Sequence, residues 1–351
     1  MPEPGSVVES VDGTLSRVKK TPRPLEQVLW AQPPWNARSA GSTPTRLRVG
    51  RRAHQHGVQL LDISYRCTYS MQNCFLYRLL GFQVHYEEHW GLKLPPFENV
   101  PDPKFYYPSS KHEEGLHRLL YGIEARKGAV MLTGDIGCGK TMLSRTLVRQ
   151  LPIERYETSL IANPSLFEPQ DFFRELLYQF GIEASGSKLD LVRGLNDFLL
   201  DNLKRGKDAV LIIDESQSIK SDTVFEELRL LLNFQLNDRF LLTLVFLGQP
   251  EMNERINALP QFAQRIAVRF HLSSFDLEET AHYMDFRLGV AGATGRQLFS
   301  KEAIEVIVLT PGGVPRNINK LADLCLLSGF LERKNQVDDD LVNRVAEDFR
   351  V

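Results

Sequence analysis

Eight residues of this chain could cradle a phosphate: Gly134-Asp135-Ile136-Gly137-Cys138-Gly139-Lys140-Thr141 fits GxxxxGK[ST] at every fixed position. The glycines let the backbone fold tightly, so that successive N–H groups face one anion. A helix opening directly afterwards adds the positive end of its dipole. Lys140 is then expected to reach the β- and γ-phosphates of a nucleoside triphosphate, Thr141 to ligate Mg²⁺ through its hydroxyl, and Met142 to complete the cradle. A chance glycine turn is the bland alternative. Its context argues against it, because an apolar run at 129–133 precedes the loop and helical spacing at 141–151 follows it. Cys138 inside the loop reads either as a thiol activated by the helix N-terminus or as a small neutral filler, and the filler is favoured.

A second acidic pair ends another apolar run, Val210-Leu211-Ile212-Ile213-Asp214-Glu215. Asp214 is expected to hold the Mg²⁺ hydration shell, and Glu215 to polarise the attacking water as general base. Two acids capping the next helix would be the alternative. The separation from the first motif, with strands and helices between, favours catalysis, and an acid at 215 favours hydrolysis over mere nucleotide sensing.

The elements that must position these groups can be read from periodicity. Short apolar strands are expected at 129–133, 159–162, 209–213, 241–247 and 267–272, and helices at 141–151, 170–180, 190–203 and 223–233. Continuous apolar strands alternating with helices imply a parallel sheet covered on both faces, an αβα sandwich of the P-loop NTPase kind. From Asp276 the strands stop, and helical stretches at 277–291, 301–309, 316–330 and 338–349 imply a small all-helical lid.

Bulk properties bound the rest. The 351 residues carry 25% charged and 42% hydrophobic residues, ordinary for a globular protein. The net charge of −2 favours neither nucleic acid nor membrane, but residues 1–84 carry +6 and the remainder −8. That first segment is rich in Pro, Arg, Ser and Gly and reads as a basic disordered tail or as a mis-annotated N-terminal extension, with Val84 standing where a bacterial gene could start. Three parts are therefore expected: the extension 1–84, an ATPase core with its N-terminal linker at 85–275, and the lid at 276–351. Cys67, Cys74, Cys138 and Cys325 form no CxxC pair, the N-terminus shows no signal pattern, and the run 241–247 is too short to span a bilayer. A cytoplasmic location is expected.

From about residue 85 onward the chain resembles the AAA+ ATPases of the general secretion pathway protein A type, which are akin to transposition-helper and initiator ATPases. The resemblance is carried by Tyr86-Glu87-Glu88-His89-Trp90-Gly91-Leu92, Pro95-Pro96-Phe97, Pro101 to Pro108, Leu247-Gly248-Gln249-Pro250-Glu251, Gln264-Arg265-Ile266 and Gly312-Gly313-Val314-Pro315-Arg316. It implies that Gln249 is the first sensor at the γ-phosphate, that Arg265 is an arginine finger reaching a neighbouring subunit, and that Arg316 is the sensor arginine of the lid. Arg269 competes with Arg265 for the finger. It also implies that Tyr107, Pro108 and His112 flank the adenine. ATP and Mg²⁺ are the expected cofactors, and a homo-oligomer, a ring or filament of about six, is the expected working form, since a finger supplied in trans raises phosphoryl-transfer rates by about 10³–10⁵. Secretion-type members often continue past the lid into a membrane span and a peptidoglycan-binding region, and initiator types into a winged helix. This sequence stops after the lid, and its core has no dense Lys/Arg stripe. Three functions stand open: a switch that remodels a protein partner in secretion, pilus or surface-polysaccharide assembly; a DNA-associated ATPase; and a nucleotide-dependent scaffold. Nonspecific DNA binding by an oligomer stays open with them.

Overall fold

A computed structural model describes residues 85–164, 168–183, 185–293, 295–310 and 312–349. The extension 1–84, with the readings attached to it and with Cys67 and Cys74, lies outside the described residues. Among those residues the chain runs through a short helix α1 (Glu87–Trp90), α2 (Ser110–Glu124), β1 (Ala129–Gly134), α3 (Lys140–Gln150), β2 (Tyr156–Ile161), α4 (Pro169–Gln179) and α5 (Lys188–Lys204). It continues through β3 (Asp208–Ile213), α6 (Asp222–Leu231), β4 (Leu242–Gly248), α7 (Glu251–Asn257), α8 (Pro260–Ala263) and β5 (Ile266–Leu272). Helices α9 (Leu277–Val290), α10 (Lys301–Leu309), α11 (Pro315–Leu331) and α12 (Asp339–Phe349) follow without further strands.

The strands pair in the order β2-β3-β4-β1-β5, each pair parallel. Alternation explains the two apolar faces. Val130, Leu132, Val210, Ile212, Val245 and Leu247 share one cluster with Leu116, Leu119, Leu143 and Leu147 of α2 and α3. Ala129, Met131, Leu211, Ile213, Leu244 and Phe246 point the other way, onto Phe172, Leu176, Leu195, Phe225 and Leu228 of α4, α5 and α6. This is the expected αβα sandwich. Strand β2 starts three residues earlier than its sequence pattern implies, because it lies at the sheet edge and only Tyr156, Ser159 and Ile161 are buried, which breaks up the apolar run.

Helix α2 is absent from the sequence reading. Gly115 and Gly122 weaken its intrinsic propensity, each by about 1 kcal/mol relative to Ala. They are there for proximity: a Cβ on Gly122 would stand 2.1 Å from Val130 Cγ1, and one on Gly115 would stand 3.2 Å from both Leu132 and Phe270. The helix therefore lies directly against β1, and Ser109 caps its start by accepting the His112 N–H.

The lid has its own apolar cluster, built from Tyr283, Met284, Leu288, Phe299, Ile318, Leu326 and Val342. Tyr86, Trp90, Leu92 and Phe97 of the N-terminal linker belong to this cluster, not to the sheet clusters. Trp90 is 2% exposed, donates from Nε1 to Leu326 O at 2.9 Å, and lies so close to α11 that a Cβ on Gly329 would meet its ring at 2.8 Å. The Tyr86 hydroxyl donates to Asp323. Core and lid meet where Phe275 N–H donates to Gly313 O at 2.9 Å; Gly313 has φ +73°, and a Cβ there would sit 1.9 Å from Phe275 O.

Candidate active site

Parallel strands deliver their C-terminal ends to one edge of the sheet, the usual place for a ligand in an open α/β fold. β1 ends in the glycine-rich loop, β3 in Asp214 and Glu215, and β4 in Gln249. Because β4 lies between β1 and β3, Gln249 emerges between the phosphate loop and the acid pair.

The loop conformation requires its glycines at two places. Gly137 (φ +89°) would carry a Cβ 2.7 Å from Arg316 Cβ, and Gly139 (φ +98°) one 2.7 Å from His112 Nε2. Lys140 is buried, and its ammonium donates to Gly134 O at 2.7 Å and Asp135 O at 2.9 Å. Burial lowers its pKa, against the opposing pull of Glu215, Cys138, Asp214 and Asp135. Thr141 donates its hydroxyl to the Asp214 carboxylate, which is 3% exposed and pushed up by burial; that hydrogen bond and the Glu215 N–H partly offset the rise. Glu215 is one of few non-glycine residues with positive φ (φ 50°, ψ 38°), and its N–H donates to Asp214 Oδ1 at 2.9 Å.

These groups open onto a cavity of about 270 Å³. Ile136, Gly137, Gly139, Lys140, Thr141 and Met142 line it, with Glu215, Gln249 and the lid's Arg316. Phe105, Tyr106, Tyr107, Phe275 and the linker residues 98–101 complete the lining. The lid is fastened directly to the loop, since the Arg316 N–H at the start of α11 donates to Gly137 O at 3.2 Å.

The remaining expected site residues divide between the cavity and its surroundings. Gly134 backs onto Leu272 O, Asp135 is exposed at the turn, and Asp214 stands behind Thr141. Cys138 is fully buried, and burial pushes its thiol up, with Asp135 adding to the rise, in keeping with the favoured reading of a small neutral filler. Pro108 is exposed and does not line the cavity. Tyr107 does, packed edge-on against Phe275 and Tyr283. His112 reaches the cavity edge and is committed to holding the loop: Nε2 donates to Cys138 O at 3.0 Å while Nδ1 accepts from Ser109 Oγ at 2.8 Å. Arg265 and Arg269 lie outside the lining.

Several contributors carry no sequence signal. Arg287 of α9 is 3% exposed, donates to Pro96 O, to Glu98 O at 2.8 Å and to the Tyr283 hydroxyl at 2.9 Å, and so ties the linker to the lid. Tyr283 passes this on to Asn319, and Asn319 to Asn99 Oδ1 at 3.1 Å. Gln217 joins the Glu215 carboxylate to the Gln249 backbone.

The donor set fits ATP and Mg²⁺. The loop has two positive-φ glycines where side chains would clash, a lysine beside it and a helix N-terminus facing it. Thr141 hydroxyl and Asp214 carboxylate are hard oxygen donors of the kind Mg²⁺ takes alongside substrate phosphates. The aromatic residues in the lining suit a base.

Fold and site together define a P-loop ATPase with a helical lid closing over the nucleotide cavity. Residues 123–256 match the family model described as an AAA domain. Over 259 residues the chain is 39% identical to General secretion pathway protein A of Aeromonas hydrophila, an alignment covering 72% of this chain and 46% of that relative. The chain is a homologue of general secretion pathway protein A with an AAA domain, and it spans a little under half the length of the curated relative it matches. Among solved structures it is similar to Drosophila ORC bound to DNA (TM-score 0.58, 16% identity, 84% of this chain and 71% of that one). It is also similar to the Aeropyrum pernix ORC2 protein in its ADPNP–ADP complexes (TM-score 0.51, 16% identity, 72% and 69%). At these identities the likeness is one of fold.

Proposed function

We propose that this protein is an oligomeric, Mg²⁺-dependent ATPase whose nucleotide cycle moves the lid against the core to remodel a protein partner, in a secretion, pilus or surface-polysaccharide assembly system. The observation that carries this reading is the shared cavity. Loop, Glu215 and Gln249 come from the core, and Arg316 comes from the lid, whose helix start is hydrogen-bonded to the loop itself. Anything that changes charge at the terminal phosphate therefore changes what holds lid to core.

In this reading Lys140, Arg316 and the loop N–H groups bind the phosphates, and Glu215 takes the proton of the attacking water while Gln249 orients it. Thr141 and Asp214 would hold Mg²⁺, which supplies charge neutralisation at the β- and γ-oxygens. Neighbouring subunits complete the site. Arg269 is engaged with Asn257 Oδ1 at 2.8 Å and Ala263 O at 3.3 Å, whereas the half-buried Arg265 guanidinium makes one long hydrogen bond among the described residues, 3.5 Å to Leu232 O. That difference supports Arg265 as the finger offered to another copy. The core and the lid, the latter residues 276–351 with the linker segment 86–97 packed into it, are the two moving parts, working in the cytoplasm, where ATP is supplied.

The test is ATP turnover by the full chain across a range of protein concentrations, with and without duplex DNA, beside Glu215→Gln. Turnover per subunit that rises with concentration, ignores DNA and disappears in the variant supports the proposal. Strong DNA stimulation moves the function to a DNA-associated ATPase. Assembly on ATP without turnover leaves a scaffold.

A further inference from the structure

Gln217 lies two residues beyond the proposed general base, in the single turn of 3₁₀ helix at 216–218, and both ends of its amide are used. Nε2 donates to Glu215 Oε2 at 2.5 Å. Oε1 accepts the Gln249 N–H at 3.0 Å, and it lies close enough to β4 that a Cβ on Gly248 would stand 3.2 Å from it. One planar side chain thus spans the ends of β3 and β4, and connects the carboxylate that is to take a proton with the backbone of the residue that is to meet the γ-phosphate.

The backbone at Glu215 shows why such a brace is needed. Glu215 leaves the strand in the left-handed region, a conformation that costs a non-glycine residue free energy and persists where its surroundings over-determine it. Here they are the Asp214 carboxylate on the Glu215 N–H and the Ser216 hydroxyl on Ile213 O at 2.8 Å. Both bonds fix the backbone. Of the hydrogen bonds around this turn, the one from Gln217 is made to the Glu215 carboxylate. It fastens Oε2 of a residue that lines the cavity.

We propose that Gln217 is a positioning residue for hydrolysis: it orients the Glu215 carboxylate and ties that orientation to the position of Gln249, so that the base is aligned only when the β4 end is in register. This rests on Glu215 acting as the general base. Misalignment of a base that contributes about 10²–10⁴ in rate loses part of that factor and leaves ATP binding intact.

The experiment uses the full chain with Gln217→Met, which keeps the length and removes both bonds, and Gln217→Glu, which keeps the shape and removes the donor to Glu215. Turnover and the dissociation constant for a fluorescent ATP analogue are measured for each, alone and combined with Glu215→Gln, with urea midpoints as a check on folding. The expected result is a fall in kcat of about tenfold or more in both variants, with ATP affinity within about twofold of the parent. In the Glu215→Gln background neither variant lowers the residual rate further, because there is no base left to align. A kcat that is unchanged or raised overturns the proposal, as does a loss that tracks ATP affinity or repeats in the Glu215→Gln background. If Glu215→Gln itself keeps full turnover, it is the assignment of the base that fails.

Discussion

His112→Ala should loosen the phosphate loop, and the size of the effect follows from the hydrogen bonds around the ring. Ser109 Oγ accepts the backbone N–H of His112 at 3.3 Å, so its hydroxyl proton is directed to Nδ1, and the neutral Nε2–H tautomer is left to hold Cys138 O. Each buried bond contributes about 1 kcal/mol, and a buried carbonyl left without its donor costs about 1–3 kcal/mol. The substitution should therefore cost about 3 kcal/mol of stability and weaken ATP binding about tenfold, because Cys138 no longer pins the loop. His112→Gln, whose amide can offer a donor, should recover part of both. The same geometry sets a pH dependence. Burial holds the imidazole below its ordinary value of 6.5, against the raising influence of the Cys138 carbonyl and Glu279. Between that lowered value and 6.5 the unfolded chain binds a proton that the native state refuses, so stability rises with pH across the window. His112 thus contributes stability in full above pH 6.5 and loses it as pH falls through the folded-state pKa. Urea unfolding of parent and His112→Gln from pH 5 to 8 isolates this component. A difference between the two proteins that stays flat over the window, or that favours the parent at low pH, would refute the reasoning.

Gly122→Ala should destabilise the core by about 1–2 kcal/mol although alanine is the better helix former, because the new methyl meets Val130 Cγ1. Adding Val130→Ala should cost less than the two separate changes sum to, and strict additivity in urea midpoints would count against that contact. Arg265→Ala should lower turnover without weakening ATP binding, and mixing it with Glu215→Gln protein should restore activity, since hybrid interfaces pair an intact base with an intact finger. If instead Arg269→Ala behaves this way and Arg265→Ala does not, the finger is Arg269.

Legibility followed the range of the interactions. The phosphate loop, the acid pair and the strands carrying them are local patterns, and a buried parallel strand declares itself as a continuous apolar run. Helix α2 did not, because Gly115 and Gly122 answer to the sheet beneath them and contradict local propensity. Gln217 was silent for a related reason: nothing in Asp214-Glu215-Ser216-Gln217 indicates that Glu215 turns left-handed and brings the amide back onto its own carboxylate. Cys138 drew attention through its place at a helix start, and burial then decided its chemistry. The Arg287–Tyr283–Asn319–Asn99 relay joins residues up to 220 positions apart in the chain, beyond the reach of periodicity.

The seating of Trp90 in the lid has a consequence for biosynthesis. Its indole binds Leu326 O across 236 residues of sequence, so the lid is not a contiguous stretch of chain but a C-terminal bundle closed by an N-terminal plug. At about 5–20 residues per second, a ribosome leaves that plug waiting about 10–50 s for its socket. The sheet can form meanwhile, while Trp90 and Phe97 stay bare until translation is nearly finished. A chain stalled or cut before α11 would carry a folded core with an exposed aromatic segment at its front, the kind of surface that chaperones hold and proteases find.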